Sequence, residues 1–237
     1  MRISHKKNNH ELQKLKELFV FLQRKKNNKH MEKEVLKSHM EEIIKKTFNT
    51  LDDVYKNCEP NSFEKRISRL VFPSYYQDGK AYKTRISEQE LRFAFVEVFN
   101  KYCDKKGLNL FYSIETPTKR KYINFSNDKE PQENEKGRSA EFDLVIFDGN
   151  GKRKCLIEFK ANNAREHDHW KDFIKLNNPN EGNEEVLRYF IEIVKASDND
   201  TYKNLHSKIQ GNEAIFKCYS LDGKVDITDC ICNYKLE

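Results

Sequence analysis

No apolar run in this chain of 237 residues approaches the length of a membrane span, and the opening stretch HKKNNH lacks the apolar core of a secretion signal. A cytoplasmic protein without membrane attachment is expected. No internal repeat is visible, and no Cys-x-x-Cys pair occurs. The six cysteines (Cys58, Cys103, Cys155, Cys218, Cys230 and Cys232) are scattered, which argues against a zinc or iron–sulfur site with its tightly spaced ligands. Cys230 and Cys232 fall in an apolar, strand-like tail and read as reduced thiols at the core or an edge.

What is present is a polar but foldable composition. Hydrophobic residues make up 37% and charged residues 35%, and 16 Phe with 11 Tyr supply large packing surfaces. The length suffices for one sizeable core, or a core with an appended subdomain. Charge is unevenly placed: residues 1–57 hold 14 Lys and Arg against 8 Asp and Glu, whereas residues 58–237 hold 30 of each. The whole excess of +6 therefore lies in the first quarter, either as a grip on phosphate backbone or as a solvated helix surface. The division expected is a basic, helical region over 1–76 and an α/β core over 77–237.

The chain is organised around residues 137–160, GRSAEFDLVIFDGNGKRKCLIEFK. A strand from Phe142 to Phe147, a turn at Asp148–Gly151 and a strand from Cys155 to Lys160 make a hairpin. Strand alternation points Glu158 and Lys160 the same way and Phe159 oppositely, toward packing. The start of one strand lies beside the end of the other, so Asp143 meets Glu158 and Lys160. Two carboxylates in a partly desolvated place need a divalent cation or a cationic side chain, and oxygen ligands suit Mg²⁺. The plainer reading is an edge salt bridge between Glu158 and Lys160.

An acid on one strand followed by acid-x-lysine on the next resembles the PD-(D/E)XK nuclease superfamily, although no proline precedes Asp143. The resemblance covers roughly residues 85–195. It implies a mixed central sheet flanked by helices, with Asp143, Glu158 and the backbone carbonyl of Phe159 holding Mg²⁺ or Mn²⁺. Lys160 would position the attacking water or stabilise charge on the phosphate. The superfamily's helix acid is assigned to Glu88, with Glu90 as the alternative. The activity implied is hydrolysis of phosphodiester bonds in double-stranded DNA, leaving 5′-phosphate and 3′-hydroxyl ends, as in restriction or phage defence. A homodimer would cut opposing strands. The alternative is a nuclease-fold protein that binds nucleic acid or recruits a partner without cleaving.

Around that centre the periodicity predicts helices over 10–25, 31–56, 62–70 and 85–102. The face of the second carries Val35, Ile43, Ile44, Thr47, Phe48, Leu51 and Val54. The first two form a helical hairpin, packed on the core or on a second copy. Ser87 and Glu90 fit a capping box. Residues 75–85 read as a connection and 108–115 as a strand. Lys119, Arg120 and Lys121, beside Tyr122, are candidates to contact phosphate and stack on a base, or form a charged loop tip. Arg138 and Ser139 are placed to touch the substrate phosphate. A covering helix over 162–176 carries His167 and His169, whose rings diverge by about 200° on a helix and so do not chelate. These histidines are expected to be exposed or capping. Strands at 188–195, 214–219 and 225–234 and a helix at 202–209 complete the reading.

Overall fold

A computed structural model describes residues 31–56, 67–125, 129–162 and 164–235. The helix expected over 10–25 lies outside the described residues, as does most of the one expected over 62–70, whose remaining residues 67–70 are not helical. Helix α1 (Lys33–Lys56) carries Leu36, Met40, Ile43, Phe48, Leu51 and Val54 at core spacing, all buried. Val35, expected on that face, is instead exposed. Next comes a hairpin, β1 (Ser74–Gln77) and β2 (Lys80–Thr84), where the sequence suggested only a connection. Helix α2 spans Glu88–Lys106 and ends at Gly107, whose φ of 63° suits the left-handed helix stop.

Strands β3 (Leu110–Ile123), β4 (Gln132–Glu133), β5 (Arg138–Asp148), β6 (Arg153–Ala161), β7 (Leu187–Val194), β8 (Ile215–Ser220) and β9 (Val225–Asp226) form one mixed sheet in the order β4-β3-β5-β6-β7-β8-β9. Between them lie α3 (Glu166–Asn177) and α4 (Asn199–Ile209), and α5 (Thr228–Cys232) follows β9. The β3–β5–β6 pairings are antiparallel, while β6–β7 and β7–β8 are parallel, with α3 and α4 as crossovers. The tail expected as a strand over 225–234 is mostly the short helix α5, on which Cys230 and Cys232 are exposed free thiols.

Two apolar cores sandwich the sheet. On one face α1 and α2 pack over Leu144, Ile146, Ile157, Phe159, Tyr189 and Ile191. Phe48 stacks on Tyr219 at 5.0 Å, and Phe95 meets Phe159 at 5.4 Å. The apolar side of α1 is thus spent within its own chain, in the same core as the sheet. On the other face α3, α4 and α5 cover Val145, Leu156, Phe190 and Phe216. β7 lies between two parallel neighbours and is buried on both faces, which is why its sequence is almost unbroken apolar. The turn from β5 to β6 is held by Asp148, whose Oδ1 accepts the N–H groups of Asn150 and Lys152 at 2.9 and 3.0 Å.

Phe95 is completely buried where α2 crosses the sheet. Phe95→Ala is expected to lower unfolding free energy by about 3–5 kcal/mol in a denaturant titration.

Candidate active site

The β5–β6 register runs from Phe147 opposite Arg153 to Leu144 opposite Ile157. There the backbone ladder gives way to a side chain: Asp143 Oδ2 accepts the Phe159 N–H at 2.8 Å, which brings its carboxylate close enough to Glu158 to oppose that group's ionisation. On the other side of Asp143, Glu115 of β3 takes a left-handed φ of 47°, and the β3–β5 pairing skips from Ile114–Leu144 to Thr116–Phe142 there. A strand residue's N–H and carbonyl leave the strand on the same side, so the Phe159 carbonyl also faces β5.

Helix α2 closes this gap. Asn162 Nδ2 donates to the Ile86 carbonyl at 2.6 Å, tying the end of β6 to the start of α2. That tie sets Glu88 Oε1 3.5 Å from Lys160 Nζ. Glu90 is turned elsewhere: it accepts from the Ser87 hydroxyl and pairs with Arg85 at 2.9 Å. Ser87 therefore caps through its neighbour's carboxylate and makes no side-chain bond to the helix backbone. One turn after Glu88, the buried Arg92 reaches Asp143 Oδ1 at 2.5 Å and Glu115 at 3.3 Å.

From the other face α3 contributes a buried polar stripe, His169, Asp172 and Lys175, set among Phe173 and Leu176. Asp172 Oδ2 lies 2.7 Å from Lys160 Nζ. Lys175 Nζ contacts Asp172 Oδ1 at 2.8 Å, Glu158 Oε1 at 2.8 Å and the Glu141 carbonyl at 2.6 Å. His169 Nε2 stands 3.0 Å from Glu192 Oε2, with both side chains fully buried. The expectation that both histidines are exposed or capping fails for His169, which docks α3 onto β7.

The structure thus brings Glu88, Asp143, Glu158 and Lys160 into one cluster, joined by Arg92, Asp172 and Lys175, which the sequence reading missed. Their signal was available: polar residues at the i, i+3, i+6 positions of an otherwise sheet-facing stripe, and an arginine four residues after Glu88. The remaining candidates lie apart from the cluster. Arg138 and Ser139 are exposed on β5 beyond the end of β6, opposite Tyr122 and Lys121 of β3. Lys119, Arg120 and Lys121 belong to β3, not to a loop after it. Arg120 is paired with Glu133 at 3.3 Å and Glu135 at 3.6 Å. The N–H groups of Lys119 and Arg120 are held by the buried Glu181, each at 2.8 Å. Tyr122 is buried and accepts from Asn178, so it offers no face for a base to stack on.

The cluster buries charge of both signs. Five carboxylates (Glu88, Glu115, Asp143, Glu158 and Asp172) contact three cations (Arg92, Lys160 and Lys175), but Glu115 is exposed and Glu88 is half-buried, so in the interior Asp143, Glu158 and Asp172 face the three cations. Burial drives Glu158 well above the ordinary carboxylate value of 4.5; Lys175 opposes this, while Asp172 and Asp143 add to it. Burial raises Glu88 too, against the pull of Lys160. Asp172 goes the other way, because Lys175 and Lys160 together overcome its desolvation. Both lysines are held charged: burial would lower them, but the carboxylates around them win. Glu158 Oε1 and Asp172 Oδ2 are buried, each against a lysine ammonium, at 2.8 and 2.7 Å.

These features bear on whether a divalent cation fits. Among the described residues no three Asp, Glu, His or Cys side chains converge on a single ion position. Mg²⁺ asks for less, commonly one or two carboxylates with the rest supplied by water and phosphate. Asp143 and Glu158 meet that requirement with oxygen donors alone, although each is already paired with a cation, Arg92 and Lys175 respectively.

No family model, curated protein or solved structure matches the chain. Its functional reading therefore rests on the geometry. Among the described residues no helix is long and apolar enough to cross a membrane.

Lys175→Met would leave Glu158 without its cation in the interior, with Asp172 keeping only Lys160, and is expected to destabilise the fold by about 3–5 kcal/mol in a denaturant titration. Glu158 stays protonated to higher pH in the folded chain than in the unfolded one, so its ionisation weakens the fold as pH rises above about 4.5. Glu158→Gln cannot ionise. Its stability relative to the natural sequence should improve from about pH 4.5 toward neutrality, as read by denaturant titrations at stepped pH.

Proposed function

We propose that the protein is a metal-dependent endonuclease that hydrolyses phosphodiester bonds in DNA. The observation that carries this reading is the meeting of Asp143 and Glu158 across the β5–β6 gap, with Lys160 two residues on and Glu88 opposite it. This is the arrangement that the PD-(D/E)XK resemblance implies.

Asp143, Glu158 and the Phe159 carbonyl would hold Mg²⁺ or Mn²⁺, with Glu88 at the outer side. When bound, the ion supplies a water of lowered pKa and neutralises charge building on the phosphate. The chain's own groups set the rest. Asp172 and Glu88 hold the Lys160 ammonium charged and aimed between them, where it orients a water or meets a phosphate oxygen. Arg92 fixes the Asp143 carboxylate, and Lys175 does the same for Glu158. Among the site's acids Glu88 is more open to solvent than Glu158 or Asp172, and its raised pKa suits it to pass a proton between site and solvent.

One observation favours a second reading. Arg92 and Lys175 already neutralise the two acids a metal would use, so the cluster is also a self-sufficient scaffold for binding without cleavage. Supercoiled, linear and single-stranded DNA incubated with Mg²⁺ or Mn²⁺ separates the two. The nuclease reading expects metal-dependent cleavage that Asp143→Asn and Lys160→Ala each reduce by at least about 100-fold. No cleavage of any substrate with either ion, or cleavage unaffected by both substitutions, would remove it.

A further inference from the structure

The β1–β2 hairpin has no structural role in the sheet. It is a separate two-stranded ribbon, outside the seven-stranded array. Its tip, Asp78-Gly79, has φ values of 50° and 74°, the left-handed pair that a two-residue hairpin turn needs. Tyr75 pairs with Lys83, Gln77 pairs with Lys80, and the base is closed by Arg85 N–H donating to the Pro73 carbonyl at 2.7 Å. Residues 75–81 and Lys83 are all exposed, Tyr75 at 46% and Tyr76 at 71%. A bare two-stranded ribbon is marginally stable in water, and one that displays the Tyr76 ring on an open strand fits a role in which something covers it.

Charge identifies what covers it. Lys80 and Lys83 have no ion-pair partner among the described residues, and the ribbon's one acid, Asp78, is confined to the turn. Its width also matters, because the major groove of B-DNA admits a two-stranded ribbon. The ribbon leads within a few residues into the start of α2, where Arg85 anchors to Glu90 and Glu88 faces Lys160. The ribbon is thus joined through only a few residues to the helix start that carries Glu88.

We infer that the β1–β2 ribbon is a docking arm for double-helical DNA, with Tyr76 and its neighbours entering the groove and Lys80 and Lys83 meeting phosphates on its walls. The inference deepens the DNA-directed reading of the cluster and rests on it for the choice of partner. The arm holds the duplex without sensing the metal.

The test measures fluorescence anisotropy of a short labelled duplex with the full chain, in EDTA, over a series of salt concentrations. Removing two phosphate contacts by Lys80→Gln with Lys83→Gln should reduce the slope of log affinity against log salt by about 1.8. Tyr76→Ala should weaken binding roughly tenfold and leave that slope unchanged. Affinity and slope equal to those of the natural sequence in both variants would overturn the inference. So would tighter binding of a single strand than of the duplex with the same losses. EDTA keeps the outcome separate from catalysis. Ribbon variants that lose duplex binding in a protein that never cleaves uphold the arm and remove the nuclease. Cleavage abolished by Asp143→Asn, with ribbon variants binding normally, removes the arm alone.

Discussion

The ammonium of Lys175, buried between Glu158, Asp172 and the carbonyl of Glu141, is the contact on which the arrangement of the cluster depends. A charge taken out of water is tolerated only with close partners, so α3 has few positions in which it can lie on the sheet. In the observed one, three successive inward positions meet three sheet residues: His169 with Glu192, Asp172 with Lys160 and Lys175 with Glu158. Apolar packing of Phe173 and Leu176 supplies the attraction, and the paired charges set the register.

The second constraint is the opening of the β5–β6 ladder. Had Asp143 and Glu158 been joined by ordinary backbone pairing, their side chains would simply be cross-strand neighbours. Asp143 instead takes the Phe159 N–H on its own carboxylate and lends its other oxygen to Arg92 from the opposite face of the sheet. Groups from both layers of helices therefore meet at one gap, α2 through Glu88 and Arg92 and α3 through Asp172 and Lys175. The raised pKa values of Glu88 and Glu158 have one leading cause, burial away from water, which Lys160 and Lys175 oppose and the neighbouring Asp143 and Asp172 reinforce.

Much of this was legible in the sequence, and the rest failed for identifiable reasons. The hairpin of β5 and β6, the apolar face of α2 and the interior strand β7 were readable because alternation, helical spacing and a continuous apolar run each carry one structural meaning. The α/β class with a mixed sheet followed from the order of those elements. The β1–β2 ribbon was overlooked because its strands bury almost nothing, so SYYQDGKAYKT shows no apolar alternation; only Asp78-Gly79 marked it. The tail after Val225 was misjudged because a five-residue helix and a short strand look alike in an apolar run. Arg92, Asp172 and Lys175 were passed over because charge on a helix ordinarily means solvent. Their partners lie on strands β3 and β5 for Arg92, at Glu115 and Asp143, and on β6 for the other two, at Lys160 and Glu158, none within the helical spacing that a sequence pattern can show.

The proposed nuclease requires Asp143, Glu158 and the Phe159 carbonyl to be a place for a divalent cation. Calorimetric titration of Mn²⁺ into the protein, repeated in buffers of different ionisation enthalpy, addresses it directly. The account predicts one saturable site with protons released on binding, as Glu158 and Glu88 give them up, and loss of that site in Asp143→Asn. Absence of a binding heat at millimolar-scale ion, or an unaltered isotherm in Asp143→Asn, would contradict it.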